Sequence, residues 1–202
     1  MPRTSDARER IVHAAARLFL ERSYHAVGVD ELCAAADVRK GSFYHYFSAK
    51  SELAKAVVDL HAQAFHTCLA GSPAATPVQK LHAIPEAIGA IQTALEAQFG
   101  RAVGCPFGNL AAELSTTDED LRAHLAARLA AMEDQLAVTC REAAELGVLR
   151  AGTDPDQLAH ALLAQYQGII LLAKVNDSGV SILAPALHEF IDGYIADPKG
   201  AG

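Results

Sequence analysis

Apolar residues recur at helical spacing along almost the whole chain, and short breaks rich in Gly, Pro, Asp and Ser separate the segments. Ala and Leu are abundant, the aromatic fraction is 6% and there is no Trp. This composition favours helices and lacks the β-branched and aromatic residues of sheet proteins. The pattern predicts an all-α fold of about nine helices, over residues 6–22, 29–36, 39–47, 49–70, 77–99, 109–114, 118–146, 155–175 and 181–196.

Charge is distributed unevenly between the two ends of the chain. The formal net charge is −7, but residues 1–50 carry eight Lys and Arg against six Asp and Glu, whereas residues 51–202 carry nine against eighteen. A basic end attached to an acidic body is a reason to expect a nucleic-acid-binding module at the basic end. We therefore expect a DNA-binding domain over residues 1–50 and a ligand-binding and dimerisation domain over residues 51–202.

Neither a membrane span nor an export signal is predicted. The apolar stretch at residues 158–175 is interrupted by polar side chains and falls short of the roughly 20 apolar residues that a span needs. The N-terminal residues have no apolar core, which argues against a signal peptide. The four cysteines lack metal-type or disulfide-scaffold spacing. We expect a cytoplasmic protein with reduced thiols, no metal and no other cofactor.

Residues 29–47 predict two short helices joined by a tight turn at Asp37, because Asp tolerates the left-handed conformation. The second helix begins with basic residues. This is the order of a helix-turn-helix motif, whose second helix enters the major groove of DNA. Phe43 and Phe47 are expected to anchor that helix from below. By itself, the aromatic run YHYF is equally consistent with a core turn.

The polar side chains of this second helix suit a DNA surface. Cations at its start can reach base edges or phosphates, a glycine allows close backbone approach, and hydroxyl and imidazole groups can donate to phosphate oxygens. A lysine at the start of the following helix adds to the positive end of that helix dipole. The candidate DNA-binding residues are Arg39, Lys40, Gly41, Ser42, Tyr44, His45 and Lys50.

Residues 8–57 resemble the TetR family of transcriptional regulators. The resemblance rests on AARLF in the first helix and on VDELCAAADVRKGSFYHYFSAKSELAKAV, which follows the family pattern A-x-x-A-G-V-S-K-G-x-x-Y-x-Y/H-F and then x-x-K-x-x-L. Asp37 replaces the turn glycine, Arg39 replaces a small serine, and Gly28 replaces the Ser or Thr that caps the second helix. The matching positions are Lys40, Gly41, Tyr44, Tyr46, Phe47, Lys50 and Leu53.

The resemblance implies a homodimeric regulator that binds near-palindromic operator DNA and is released by a small molecule. The apolar pattern independently favours a dimer, because residues 158–175 are apolar nearly all round. We expect the last two helices to form a four-helix interface with a second copy. Burial in the core of a single chain is the alternative. The final helix places Leu183, Leu187, Phe190, Ile191 and Tyr194 at helical spacing.

The segment GCPFGNLAAELS, residues 104–115, resembles a TetR subgroup of the form G-C-P-x-G-N-x-x-x-E-L, which includes acrylate-responsive and electrophile-sensing regulators. Cys105 precedes a helix expected near Pro106, whose dipole stabilises a thiolate, and its glycines leave the backbone open. A small buried apolar residue is the alternative. Asn109 is a candidate donor to a bound oxygen atom. Lys174 would lower the pKa of the Cys105 thiol if the two are close, although a snorkelling lysine is the simpler interpretation.

Three further side chains are candidate walls of a small-molecule pocket. His61 and Phe65 lie on the fourth helix, which lines the pocket in the family that the chain resembles. A solvated helix face is nevertheless the favoured interpretation there. Tyr166 is a candidate together with His160 and Gln165. The candidate ligand site therefore comprises Cys105, Asn109, Lys174, His61, Phe65 and Tyr166.

Two other functions remain open at this point. An enzyme with Cys105 as its nucleophile needs a nearby base, and the spacing singles out none of His82, His124 and His160. A helical interaction protein without DNA binding is the other alternative. The enzyme has no use for the motif at residues 29–53, and the departures at Gly28 and Asp37 give the interaction protein only slight support. We therefore expect a DNA-binding regulator, not an enzyme, that a small molecule or reactive electrophile releases from its operator.

Overall fold

The computed structural model describes residues 4–71 and 76–196. In these ranges the fold is all-α, as predicted, and most helix ends lie within two residues of the prediction. The described part contains nine helices: α1 (Thr4–Arg22), α2 (Val29–Ala35), α3 (Lys40–Tyr46), α4 (Lys50–Ala70), α5 (Pro77–Phe99), α6 (Pro106–Leu114), α7 (Glu119–Glu145), α8 (Pro155–Asn176) and α9 (Leu183–Asp192).

Local capping signals explain several of these ends. Thr76 and Gln79 form a capping box at the start of α5, in which each side chain accepts a hydrogen bond from the backbone of the other residue. The carboxylate of Asp118 accepts from the backbone N–H of Leu121 at 2.9 Å and so caps α7. Gly147, with a φ of 69°, follows the end of α7.

Two helix ends differ from the prediction. Helix α6 begins at Pro106, as expected for the helix that follows Cys105 and not at residue 109 as the helical run alone predicts, because a proline is tolerated at the first helical position. Helix α9 ends at Asp192 instead of residue 196. Beyond it, the backbone N–H of Arg150 donates to the Tyr194 carbonyl at 2.9 Å, and that of Ala196 donates to the Val148 carbonyl at 2.8 Å. These long-range bonds replace helical ones.

The chain divides into two compact units that do not follow the predicted boundary at residue 50. The first comprises Met1–Gln63 and Gly104–Leu129, and the second comprises Ala64–Val103 and Ala130–Gly202. Helix α6 and the first part of α7 therefore belong with the N-terminal helices. The division of functions at residue 50 stays a prediction.

The core of the first unit holds the N-terminal helices together. Ile11 of α1, Leu32 of α2, Phe43 of α3 and Leu53 of α4 are all completely buried. Phe47 is also buried, and its ring centroid lies 5.9 Å from that of Phe43. The two phenylalanines anchor α3 from below, as predicted.

The core of the second unit includes the inner face of α9, which packs against α5 and α8. Leu183, Leu187 and Ile191 are completely buried within the single chain. The prediction that these three residues face a second copy is therefore wrong, and the alternative that they fill the core of one chain holds. Phe190 and Tyr194 are half-buried, with ring centroids 5.2 Å apart.

Helix α8 has two apolar faces. Seven of its residues, including Leu162, Tyr166 and Ile170, are buried in the core. On the other face, Leu171 and Val175 are 57% and 72% exposed. By length and composition α8 is apolar enough to cross a membrane, and 39% of its most apolar 18-residue stretch is buried in the fold. A core helix of a globular protein meets the same criterion, and the buried face of α8 belongs to such a core.

Candidate DNA-binding surface and sensor region

The turn between α2 and α3 has the predicted geometry. Asp37 has a φ of 50°, which is the left-handed conformation that the tight turn requires. The backbone N–H of Val38 donates to the Cys33 carbonyl at 3.0 Å, which closes the end of α2. Arg10 of α1 donates to the Asp37 carbonyl at 3.1 Å. Helix α1 thus fixes the turn from which α3 emerges.

Most predicted DNA-binding residues are accessible on α3. Tyr44 is 52% exposed although its ring contacts the edge of buried Phe43. A Cβ added at Gly41 would meet no atom within 4 Å, so packing does not demand a glycine there. Ser42 is half-buried. The exposed members of the set are Arg39, Lys40, Gly41, Tyr44 and His45.

Lys40 has an acidic neighbour that sequence reasoning missed. Its ammonium lies 2.7 Å from a carboxylate oxygen of Asp30 on α2. The hydrogen bond to Asp30 raises the pKa of Lys40. Both side chains are exposed, so the pair contributes little to stability and a phosphate can compete for the lysine.

Lys50 is engaged with the segment between α1 and α2, here called the linker (residues 23–28). Its Nζ donates to the carbonyls of Tyr24 and Val27, both at 2.9 Å, and lies 4.0 Å from the centroid of the Tyr24 ring. Burial lowers the pKa of Lys50, and the nearby Glu113 opposes this shift. Lys50 therefore has a structural role that the sequence did not indicate, and its predicted phosphate contact stays a prediction.

Glu113 of α6 binds the same linker from the other side. One carboxylate oxygen accepts from the backbone N–H of Tyr24 and the other from that of His25, each at 3.2 Å. Sequence reasoning gave Glu113 no role. The signal was present, since Glu113 is the glutamate of the segment at residues 104–115.

Cys105 is the residue before α6, as predicted, but it is not open to solvent. It is 3% exposed, and the residues beside it, from Ala102 to Phe107, are buried as well. The expectation that glycines leave the backbone open around Cys105 is therefore wrong, because this segment packs into the interior. The backbone N–H of Asn109 donates to the Cys105 carbonyl at 2.9 Å in the first turn of the helix.

The other cysteines occupy different environments. Cys33 and Cys140 are buried in helices, as predicted for packing residues. Burial raises the pKa of the Cys140 thiol to about 11 and also raises that of Cys33. Cys68 is half-buried, and its Sγ donates to the Ala87 carbonyl at 3.4 Å. None of these three thiols lies at the start of a helix.

The favoured interpretation of His61 and Phe65 as a solvated face of α4 is wrong. Phe65 is buried. The Nε2 atom of His61 is also buried, and it has no hydrogen-bond partner within the described residues. Burial, assisted by the nearby His13, lowers the pKa of His61 to about 4. Phe65 and the Nε2 edge of the half-buried His61 therefore face away from solvent, as a pocket wall requires.

Tyr166 is buried, whereas the two residues predicted beside it, His160 and Gln165, are exposed. The Tyr166 hydroxyl accepts a hydrogen bond from Nε2 of Gln92 at 2.8 Å, and Gln92 is also buried. Sequence reasoning missed Gln92. Helical spacing indicates it, because the residue lies one turn beyond Ile88 on the apolar face of α5.

The six candidate ligand residues are shared between the two compact units. Cys105, Asn109 and His61 belong to the first unit. The second unit contains Phe65, Tyr166 and Lys174, of which Lys174 is exposed in the last turn of α8. The prediction that all six surround one ligand stays a prediction.

The second unit also contains a cavity of about 310 Å³ between α4, α5 and α7. Ile84 and Leu136 contribute apolar surface, and Lys80 and Glu142 form an ion pair of 2.5 Å in its lining. None of the six candidate ligand residues lines this cavity. Sequence reasoning missed it, because its walls come from three helices that are far apart in the chain.

The three histidines considered as bases for an enzymatic cysteine each contact a carboxylate. His82 lies 2.7 Å from Asp192, His124 lies 2.8 Å from Asp59, and His160 lies 3.0 Å from Glu133. Each of the three histidines therefore has a carboxylate partner. Among the described residues, no group of three or more His, Cys, Asp and Glu side chains is arranged to hold a metal ion.

The chain matches two models of known protein families over most of its length. Residues 11–57 match "Bacterial regulatory proteins, tetR family", and residues 77–182, about half of the chain, match "Tetracyclin repressor-like, C-terminal domain". The chain belongs to the TetR family. This confirms the family that the motif at residues 8–57 indicated, and it confirms that the N-terminal helices form a helix-turn-helix domain.

Relatives of this TetR-family protein extend over most of its length. Transcriptional regulator AcuR of Cereibacter sphaeroides is 35% identical over 180 residues, which cover 87% of this chain and 80% of AcuR. HTH-type transcriptional repressor NemR of Escherichia coli is 30% identical over 177 residues, which cover 86% of each chain. The protein is therefore a DNA-binding transcriptional regulator.

Solved structures show the same fold. The crystal structure of a reduced form of E. coli NemR superposes with a TM-score of 0.75 at 28% identity, covering 96% of this chain and 100% of that one. The crystal structure of a regulatory protein TetR from Rhodobacter sphaeroides gives a TM-score of 0.76 at 31% identity, covering 93% and 96%. The two-part architecture of this TetR-family chain is therefore shared by its relatives.

Proposed function

We propose that this TetR-family regulator is a cytoplasmic repressor. It binds near-palindromic operator DNA as a homodimer, and a small molecule or reactive electrophile acting near Cys105 releases it. The observation that carries DNA binding is α3, which buries Phe43 while Arg39, Lys40 and Tyr44 remain exposed. Two relatives, NemR and DhaR of Mycobacterium sp., are repressors by name, which supports repression here.

The exposed side chains of α3 divide the work of DNA recognition. Arg39 and Lys40 stand at the start of the helix, the part that reaches base edges in a helix-turn-helix complex. Tyr44 and His45 lie further along and donate to phosphate oxygens. On binding, Lys40 exchanges its exposed pairing with Asp30 for DNA, at small cost.

The exposed face of α8 supports dimerisation. Leu171, Leu172 and Val175 are all more than half exposed, and Ile182, just before α9, is 56% exposed. A contiguous apolar patch of this kind marks an interaction surface. Gly168 on the same face has open space around its Cα, which allows close approach of a second helix. We place the dimer contact on these residues and not on Leu187 or Ile191.

The position of Cys105 supports a small inducer. Because the thiol is buried, a molecule that reaches it must enter the interior, which excludes macromolecules. Cys105 directly precedes α6, so a molecule that reacts with the thiol bonds at the start of that helix. The Asn109 side chain, half-buried one turn later, is a candidate donor to an oxygen of the bound molecule. His61, Phe65, Tyr166 and Lys174 are the remaining candidate contacts.

Release requires two states of the dimer. A ligand shifts an equilibrium only by its differential affinity, so the inducer must bind the DNA-free state more tightly. In the DNA-free state the two α3 helices have the wrong spacing for successive major-groove faces. Helix α4 is the proposed lever, because it leads directly from the helix-turn-helix and its last residues belong to the second compact unit.

DNA binding tests the proposal first. Fluorescence anisotropy with promoter DNA and with a scrambled duplex, each at two salt concentrations, should show specific binding that weakens steeply with salt. Equal affinity for both duplexes, or none, contradicts the proposal. Intact-protein mass spectrometry on the same samples after exposure to electrophiles then tests the sensor. Modification of Cys105 should accompany the loss of specific binding.

A further inference from the structure

Glu113 holds two consecutive backbone N–H groups at once. Its carboxylate oxygens accept separately from Tyr24 and His25, both at 3.2 Å, across 89 and 88 residues of sequence. The contact joins α6 to the linker that leads into α2. At 3.2 Å both bonds lie at the long end of the usual range, and together they hold two consecutive N–H groups of the linker in place.

The linker is held on its other side by Lys50, the first residue of α4. The Lys50 ammonium donates hydrogen bonds to the carbonyls of Tyr24 and Val27. The Tyr24 ring contacts both this ammonium and the ring of Phe19. The linker ends at Gly28, directly before α2. Two of its N–H groups are thus bound by α6 and two of its C=O groups by α4.

We propose that Glu113 is a positioning residue that transmits the state of α6 to the helix-turn-helix. This rests on the proposed function, because Cys105 is the residue that precedes the same nine-residue helix. An adduct or ligand at Cys105 shifts α6. Because the two bonds of Glu113 are already 3.2 Å long, a shift of about 0.5 Å moves both beyond hydrogen-bond distance.

Loss of this contact changes DNA affinity through the linker. With its N–H groups released, the linker no longer holds α2 and α3 in one arrangement against α1. The apparent affinity of a binding site falls in proportion to the fraction of molecules in the competent arrangement. Glu113 therefore favours the DNA-binding state, and the route through α6 acts in addition to the lever of α4.

The variant Glu113→Gln tests this role, since its amide can accept from only one of the two N–H groups. We expect the operator affinity of the untreated protein to fall about tenfold. The backbone amides of Tyr24 and His25 should exchange faster with solvent deuterium. Glu119→Gln is the matched control, because Glu119 is exposed and pairs with Arg122 on its own helix. It should keep wild-type affinity and exchange.

Alkylation by N-ethylmaleimide, in a Cys68→Ser background, tests whether modification of Cys105 acts on operator binding through Glu113. The thiolate sulfur bonds to one alkene carbon, and the other alkene carbon takes a proton from water. In the protein with Glu113, alkylation of Cys105 should weaken operator binding. In Glu113→Gln it should weaken binding by a much smaller factor, because the contact is already lost.

Three results separate the outcomes. Operator affinity of untreated Glu113→Gln within twofold of wild type, or above it, overturns the role of Glu113. An equal effect of alkylation with and without the substitution also overturns it, while leaving Cys105 as the sensor. If alkylation leaves the wild-type affinity unchanged, the sensor at Cys105 fails, and the comparison of untreated proteins still decides the role of Glu113.

Discussion

Helices α3 and α6 begin alike and end up in opposite environments. Both are short, and the residue before each, Arg39 for α3 and Cys105 for α6, makes no capping hydrogen bond through its side chain. Around Arg39 the surface is exposed, whereas Cys105 and the residues beside it are buried. An exposed helix start can meet a rigid macromolecule such as DNA. A buried one can be reached only by a small molecule.

The difference also separates what each helix can do alone. In the proposed function α3 reads half of a near-palindromic site, so it needs a second copy of the chain. Helix α6 can act within one chain, because the Cys105 thiol that precedes it and the linker that its Glu113 holds belong to the same compact unit. The following predictions test this comparison.

Separating the two copies should disable α3 and spare α6. Leu171→Glu places a charge on the exposed apolar face of α8, and we expect a monomer in light scattering. Operator affinity should fall roughly 100-fold, because the second half-site no longer adds avidity. The rate of Cys105 alkylation should stay near wild type. Leu146→Glu is the control, an equal change at an exposed leucine in the turn that follows α7. A dimeric Leu171→Glu protein contradicts the proposed interface.

Cys105→Ser should have the opposite pattern. Operator binding without inducer should stay within about twofold of wild type, whereas the inducer dose for release should rise more than about tenfold, because a hydroxyl is a far poorer nucleophile than a thiolate. Cys33→Ser should respond as wild type does. An unchanged dose dependence in Cys105→Ser rules out covalent sensing. Lys174→Met should slow alkylation several-fold if the lysine acts on the thiol, and should leave the rate unchanged if the lysine only snorkels.

Acid should destabilise the fold through a buried histidine more than through one on the surface of α3. The pKa of His61 is about 4 in the folded state, against about 6.5 when unfolded. Between these values the unfolded chain binds more protons, so stability falls as the pH falls. From pH 7 to pH 5 the loss due to His61 is ~2 kcal/mol.

Urea unfolding of His61→Leu at both pH values measures this loss, and the variant should lack it. His45→Gln, a change at an exposed site on α3, should keep the wild-type dependence on pH. A wild-type pH dependence in His61→Leu would show that His61 is not the group responsible.

Substitutions on α3 should separate base reading from phosphate contact. Arg39→Ala and Ser42→Ala should lower operator affinity about tenfold and alter the preferred sequence, since a base contact contributes roughly 1–3 kcal/mol of discrimination. Tyr44→Ala should weaken binding to operator and scrambled DNA alike. Lys50→Ala should also weaken both and, unlike Tyr44→Ala, should lower the unfolding temperature, because Lys50 holds the linker. If Tyr44→Ala binds DNA as the wild type does, the DNA-binding surface lies elsewhere on the molecule.

The smallest effect is expected at Gly41. Its Cα has open space around it, so Gly41→Ala should stabilise α3 by about 0.5–1 kcal/mol. The same methyl group would face DNA and should lower operator affinity. Thermal unfolding and anisotropy on one preparation measure both changes. A stabilised variant with full affinity would show that the backbone at Gly41 does not approach DNA closely.

Several features could be predicted because their signals are local. Thr76 caps α5 and Gly147 follows α7, so each signal lies within a few residues of the end that it marks, and both ends were predicted to within one residue. The turn at Asp37 and the two buried phenylalanines of α3 were predicted in the same way. The helix-turn-helix is contiguous in sequence, so the motif contains most of its geometry.

The sequence by itself thus determined the helices, the helix-turn-helix motif and the residues that form this motif. The tertiary structure alone decided which apolar residues of α8 and α9 are buried, that Cys105 lies in the interior, and that Lys50 and Glu113 hold the linker. The reason is distance along the chain. Burial and pairing depend on packing between residues far apart in sequence, such as Glu113 and Tyr24, which are separated by 89 positions. Periodicity shows that α9 has an apolar face, but not whether its own chain or a second copy covers that face.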